Sequence, residues 1–278
     1  MITIIMKIDI NQKLDILTNN DEITIINLLN KKAPDCYTEI TTTELNNIIQ
    51  KIKISTNHIE SVIKSIRANF IKNKMIRRHK FIKIFSKKIL QTYNRNIDIL
   101  EISSRFDISP LNLLRFIFEK KYNKKLKNLI NDNSISEYDK KQLNLAIAND
   151  TYSLIDNQHI QKESELFENQ VEQFLIKNNI DYKTQNQLSE EQIKLYGHPI
   201  NTPDFLIISN LYLNEFKINW IDAKNFFGSN IDFVKDKITK QVKKYIDEFG
   251  EGCIIFKYGF NEELVLNDVL ILSYSSIL

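Results

Sequence analysis

Three short stretches in the second half of the chain carry side chains suited to one kind of chemistry. Pro203-Asp204 opens the apolar run TPDFLIIS, Asp222-Ala223-Lys224 closes the run NWIDAK, and Glu168 lies upstream in ESELFENQVEQFLIKNN. Hydrolysis of a phosphodiester must bring hydroxide to an anionic phosphate. Mg²⁺ or Mn²⁺ can do so while held by few protein groups, because Mg²⁺ is a hard cation that takes oxygen ligands and keeps several waters. In this reading Asp204 and Asp222 share the metal, the Ala223 carbonyl adds a ligand, and Glu168 ligates or positions a water. The metal lowers the pKa of its water and offsets charge on the phosphate. Lys224 follows Asp222 by two residues, so on a strand both point to one face. Its ammonium then orients the water and stabilises transition-state charge.

Two more residues join this group. Gln241 and Tyr245 lie four apart in KQVKKY, on one face of a helix, from which they could reach the substrate backbone or orient Lys224. Each piece has an ordinary explanation when taken alone. A Pro-Asp is commonly a turn, an Asp-x-Lys a surface pair, and Tyr245 a packed ring. His198 has no partner at ligand spacing and reads as a loop residue. Order and placement together carry the argument. Glu163, Glu165 and Glu172 share the helix with Glu168, and Glu165 and Glu172 lie near its face, so the choice among these acids stays open.

The elements that must position these residues read as α/β. Leu166, Phe167, Val171, Phe174 and Leu175 give an amphipathic helix. DFLIIS and LNEFKINWIDAK read as strands, the second with Phe216, Ile218 and Trp220 on one face. Val234, Ile238, Val242, Ile246 and Phe249 give another helix, and GCIIFKYGF and DVLILSYSS two further strands. The expected result is a mixed sheet with helices packed on it.

The first half reads as helical. Leu45, Ile48, Ile49 and Ile52 share a face, as do Ile59, Val62, Ile63, Ile66 and Phe70, with Asn57 and Glu60 as a capping box. A second helix pair turns at Asp107 and Ile108, then restarts on Ser109 as N-cap and Pro110 at the first helical position. Its free face carries Asn112, Arg115, Glu119 and Lys120, as a recognition helix would. A plain helical bundle has the same spacing. Charge separates the two readings: residues 1–150 hold 26 Lys and Arg against 16 acids, and residues 151–278 hold 12 against 19. No acid interrupts the eleven Lys and Arg between Glu60 and Asp98. Lys72, Lys74, Arg77, Arg78, Arg115, Lys120 and Lys121 are therefore the candidate DNA contacts, made largely to phosphates. The expected division is a helical DNA-binding region over 1–131, a linker over 132–158 and a catalytic domain over 159–278.

Composition removes several alternatives. Cys36 and Cys253 are far apart and outside any CxxC pair, which excludes a cysteine zinc site and suits a reducing compartment. No apolar run reaches the ~18 residues of a membrane span. MITIIMKIDI is too short for a signal peptide and has its charges on the wrong side. An intracellular protein is expected.

The chain resembles the codanin-interacting nuclease family, which carries a TPD domain. The resemblance rests on Thr202-Pro203-Asp204, WIDAKNFFG, the Gln-x-x-x-Tyr helix, FGEGCIIFKYGF and ISPLNLLRFIFEKKY. It implies tandem helix–turn–helix modules ahead of a Holliday-junction-resolvase-like PD-(D/E)xK domain, with the restriction-endonuclease-like mixed sheet. It implies Asp204, Asp222 and Lys224 as the catalytic core with Glu168 in the preceding helix, and, from the animal members, a codanin partner and a nuclear role. The resulting expectation is a metal-dependent DNA endonuclease, for which a homodimer would suit two-strand cleavage. An RNA-directed nuclease and a non-catalytic DNA-binding or adaptor protein on a nuclease fold are the competing readings.

Overall fold

Ile5–Ile8 (β1) lies at the start of the chain, yet it pairs with a strand about two hundred residues away, with Ile5 opposite Asn210. A computed structural model describes residues 5–11, 15–30, 42–52, 55–130, 132, 134–149 and 157–278. These form two compact units. One takes the described residues of 1–32, 40–69 and 158–278, and the other those of 70–157.

The first unit is built on a mixed sheet. After β1 come Ile16–Leu17 (β2), Asn19–Asn30 (α1), Thr42–Ile52 (α2) and the start of Thr56–Ile84 (α3). Chain 158–278 then supplies most of Asn157–Lys177 (α9), with Tyr182–Thr184 (β3), Gln185–Tyr196 (α10), Phe205–Leu213 (β4) and Phe216–Lys224 (β5). Asp232–Phe249 (α11), Gly252–Phe256 (β6), Phe260–Asn261 (β7) and Val269–Ser273 (β8) complete it. The order is β1-β4-β5-β6-β8, with β3 also on β4 and β2 pairing β7 apart. β4 and β5 are antiparallel, whereas β1 on β4 and β5-β6-β8 run parallel. Each face buries a helix. Phe167, Val171 and Leu175 of α9 pack with Ile218, Ile221 and Ile255, and Val234, Ile238 and Val242 of α11 pack with Trp220, Ile254 and Phe256. Gly252 makes room for Trp220, since a Cβ there would meet the indole at 2.1 Å.

One irregularity decides which way the end of β5 faces. Leu206 pairs Trp220 but Leu211 pairs Ile218, so β4 bulges between them. Phe216, Ile218 and Trp220 do not share a face as their alternation predicts. Phe216 and Ile218 pack on the α9 side, and Trp220 on the α11 side. The register shifts by three residues here, an odd number, so β5 changes face beyond Ile218 while Phe205, Ile207, Leu211 and Leu213 of β4 all stay on the α9 side.

The second unit is helical. It holds the rest of α3, then Ser86–Tyr93 (α4), Ile99–Phe106 (α5), Pro110–Tyr122 (α6), Leu126–Leu129 (α7) and Glu137–Asn149 (α8) around one core that includes Tyr93, Leu114 and Phe118. α6 starts as its sequence indicates, with Ser109 accepting from the Asn112 N–H and Pro110 at the first helical position. Asp107 turns the chain in the left-handed region at φ 52°.

The compact units and the helix bounds differ from the sequence expectation at three points. The described residues of 1–32 and 40–69, assigned to the helical region, fall in the sheet unit. Much of the expected linker is α8, whose Leu143 and Ala146 are buried, and α9 begins inside that segment too. α3 begins at Thr56, ahead of the expected Asn57 cap, with Ser55 Oγ beside the His58 N–H at 3.5 Å. Cys253 is buried and free, as read, and Cys36 lies outside the described residues.

Candidate active site

Asp204 immediately precedes β4 and Asp222 lies near the end of β5. Phe205 pairs Ile221, so extending that register by one residue sets Asp204 opposite Asp222. The contact is direct, because Asp204 Oδ2 accepts the Ala223 N–H at 2.7 Å. The TPD turn is thereby tied to the strand carrying the second carboxylate. Asp222 and Lys224 continue on the α11 side from Trp220 and form an ion pair, with side chains 2% and 14% exposed.

The electrostatics of this corner are unbalanced. Burial first, then the neighbouring Asp222, pushes the Asp204 carboxyl well above the usual carboxylate range, although Lys224 and the Ala223 N–H oppose it. Glu168, half-buried on α9, is raised by burial and by Asp222 and Glu165. Burial alone would lower Lys224, but Asp222 and Asp204 outweigh it and hold the ammonium above its ordinary pKa. Three carboxylates thus sense one lysine.

Among the four acids of α9, the surroundings separate the roles. Glu172 accepts the Tyr182 hydroxyl at 2.7 Å, and burial with this contact pushes that phenol up to about 12. Glu165 accepts from Gln161 at 2.8 Å, and Glu163 lies 3.7 Å from Lys257. Glu168 is the one raised by Asp222. Hard oxygen donors with excess negative charge fit a divalent cation. Among the described residues no group of three or more His, Cys, Asp or Glu side chains is set to hold a metal. The fit therefore rests on Asp204 and Asp222 with water, an arrangement Mg²⁺ tolerates.

Gln241 and Tyr245 sit together as their spacing indicates. Gln241 Nε2 donates to Tyr245 Oη at 2.9 Å, and that hydroxyl donates to the Thr202 carbonyl at 3.3 Å. The Tyr245 ring packs edge-on against Trp220 at 5.2 Å. Burial, then Asp222, raises the phenol above its ordinary value. The pair touches the TPD turn rather than Lys224. His198 is an exposed loop residue bonded to the Tyr196 carbonyl.

The candidate DNA contacts divide. Arg115 and Lys120 are exposed on α6, with Arg115 donating to Asn112 at 3.2 Å. Lys121 instead pairs at 2.5 Å with Asp139, whose side chain is 0% exposed, so its charge is used to neutralise a buried carboxylate. Lys72, Lys74, Arg77 and Arg78 have side chains outside the described residues.

Sequence reading missed the residues that pin the loop after β5. Buried Glu22 of α1 accepts from Ser229 Oγ, from the Asn230 N–H at 3.3 Å, and from Asn261 Nδ2. Ser61 Oγ accepts the Phe227 N–H at 2.8 Å. An isolated Glu or Ser in a helical pattern carries no signal for such contacts, because the partners lie more than 160 residues away.

A family model described as "Protein of unknown function TPD sequence-motif" matches residues 135–275. An uncharacterized protein of Acanthamoeba polyphaga mimivirus is 34% identical over 125 residues, 44% of each chain. CDAN1-interacting nuclease 1 of Xenopus laevis is 34% identical over 80 residues, covering 29% of this chain and 26% of the relative. The Homo sapiens protein of that name is 32% identical over 80 residues, covering 29% and 28%. The matches therefore span less than half the length of each of these relatives. No solved structure matches the chain. With half of its length under one family model and its TPD turn at the centre of the carboxylate cluster, the chain belongs to the TPD sequence-motif family, that of the CDAN1-interacting nucleases.

Proposed function

We propose that the chain is a metal-dependent nuclease that hydrolyses DNA phosphodiester bonds at a PD-(D/E)xK site. The observation that carries this reading is Asp204 opposite Asp222 with Lys224 on the same corner, in a setting that raises the pKa of Asp204. Asp204 and Asp222 would hold Mg²⁺ or Mn²⁺, with the Ala223 carbonyl as a further ligand. When bound, the metal supplies an acidified water and charge stabilisation at the phosphate. Lys224 stays protonated and counters charge growing on the phosphate oxygens. Glu168, with its raised pKa, can take a proton from the attacking water or orient it. Gln241 and Tyr245 hold the turn that delivers Asp204.

The basic helical unit would grip the duplex backbone through Arg115, Lys120 and the 72–78 stretch of α3, with α5 and α6 acting as a helix–turn–helix. A junction-resolving activity, a homodimer that cuts both strands, a codanin-like protein partner and a nuclear location belong to the same reading. The partner is suggested by the names of the relatives.

The test is cleavage of labelled duplex and four-way-junction DNA with Mg²⁺ or Mn²⁺, wild type against Asp222→Asn. Metal-dependent cutting should fall by about 10³ or more in the variant, the scale expected for losing a charge-stabilising group. A wild type that binds DNA yet cuts no substrate would shift the reading to a non-catalytic adaptor.

A further inference from the structure

Beside the TPD turn lies a cavity of about 360 Å³, within the size range of ligand pockets. One wall is α11, where Lys240 and Lys244 stand one turn apart with Gln241 and Tyr245. The other wall is α10 and the loop leading to β4, which contribute Gln185, Asn201 and Thr202. The lining is polar and cationic, unlike the mostly apolar lining of a typical small-molecule pocket.

Several features of this cavity point to a phosphate-bearing strand. Lys240 and Lys244 are exposed, and neither has an ion-pair partner among the described residues. Glu248, one turn beyond Lys244, is engaged by the Asn201 amide at 2.7 Å. Two unneutralised ammonium groups on one helix face repel each other. A phosphate between them relieves that repulsion and gains charge-assisted hydrogen bonds. The amides keep capacity as well. Gln185 Nε2 donates to the Thr202 carbonyl at 3.2 Å and Gln241 Nε2 to Tyr245 at 2.9 Å, which leaves the second N–H of each amide as a donor for a phosphate oxygen. The position matters most. Thr202, in the cavity wall, is two residues from Asp204, and its carbonyl is held by both Gln185 and Tyr245. A strand whose scissile phosphate lies at Asp204 and Asp222 would run its adjoining nucleotide past this cavity.

We propose that the cavity is a subsite for a nucleotide flanking the scissile phosphate, with Lys240 and Lys244 clamping its phosphate. The proposal rests on the nuclease reading for its substrate, but its test does not depend on cleavage. Trp220 is the single tryptophan and packs against Tyr245 in the cavity wall, so its fluorescence reports occupancy. A short single-stranded oligodeoxynucleotide is titrated into the protein in metal-free buffer. The same titration is made with Lys240→Gln/Lys244→Gln and with Lys237→Gln/Lys243→Gln, the latter pair lying outside the cavity lining. The cavity variant should bind at least ten-fold more weakly, with a salt dependence shallower by about 1 in log–log slope. The control variant should bind as the wild type does. Equal losses in both variants would overturn the proposal, since general helix charge would then explain the binding. Inorganic phosphate or a mononucleotide competing as well as the oligonucleotide would also overturn it, in favour of a free-phosphate site. Specific binding by a wild type that cleaves nothing would sink the nuclease reading and leave the cavity standing as a strand-binding site.

Discussion

Asp139 in the helical unit and Asp204 in the sheet unit are the same residue type, and burial works against the charge of both, yet their surroundings push them in opposite directions. Burial on its own would raise Asp139, but hydrogen bonds from Lys121, Tyr122, Tyr93 and Ser136 overcome it and hold the carboxyl below its usual range. The distances are 2.5 Å from Lys121, 2.6 Å from Tyr93 and 2.7 Å from Ser136. Asp204 accepts one backbone N–H and faces Asp222, so its carboxyl is raised. A buried charge that the fold satisfies ties its helices together. A buried charge that the fold leaves unbalanced costs stability and is poised to bind something positive. On the proposed reading, chemistry belongs to the sheet unit, while Asp139 serves the architecture of the helical unit.

Removing the satisfied charge should cost most. Asp139→Ala strands the buried Tyr93 hydroxyl and removes the other hydrogen bonds that Asp139 accepts, and should destabilise the helical unit by about 3 kcal/mol in chemical denaturation. Removing the unbalanced charge should do the reverse. Asp204→Asn keeps an acceptor for the Ala223 N–H while deleting a disfavoured charge, and should raise stability at neutral pH by about 1 kcal/mol in metal-free buffer. The same variant should lose cleavage, and an Asp204→Asn protein that is both destabilised and active would erase the contrast. Tyr122→Phe takes one of several donors from Asp139 and should cost only about 0.5 kcal/mol, measured by the same denaturation.

The pH dependence sharpens the same contrast. The lowered pKa of Asp139 contributes stability that is present above its unfolded value of ~3.9 and is lost as pH falls through the folded value. The raised pKa of Asp204 contributes stability present below its unfolded value and lost as pH rises through the folded one. Amide hydrogen exchange without metal should therefore show the helical unit losing protection as pH falls below about 3.9, and the sheet unit losing it as pH rises above that value.

Much of this was legible in the sequence, and what was legible was local. Ser109-Pro110 sets the start of α6 because capping needs only adjacent backbone. Gln241 and Tyr245 meet because four residues make one helical turn. Asp204 and Asp222 face each other because a short connection joins antiparallel neighbours. The types and order of the candidate site residues were thus written in the chain itself.

Only the tertiary structure decided the rest. The pairing of β1 with β4 joins residues about two hundred apart, and a four-residue apolar run gives no hint of its partner. The register irregularity between β4 and β5 reverses the facing that strict alternation assigns to Trp220, because register is a property of two strands and not of one. Lys121 reads as a surface cation, and packing against Asp139 makes it a structural one. The pKa of a carboxyl likewise belongs to its surroundings. Composition supplied the aspartates, and long-range packing determined that Asp139 is satisfied and Asp204 is not.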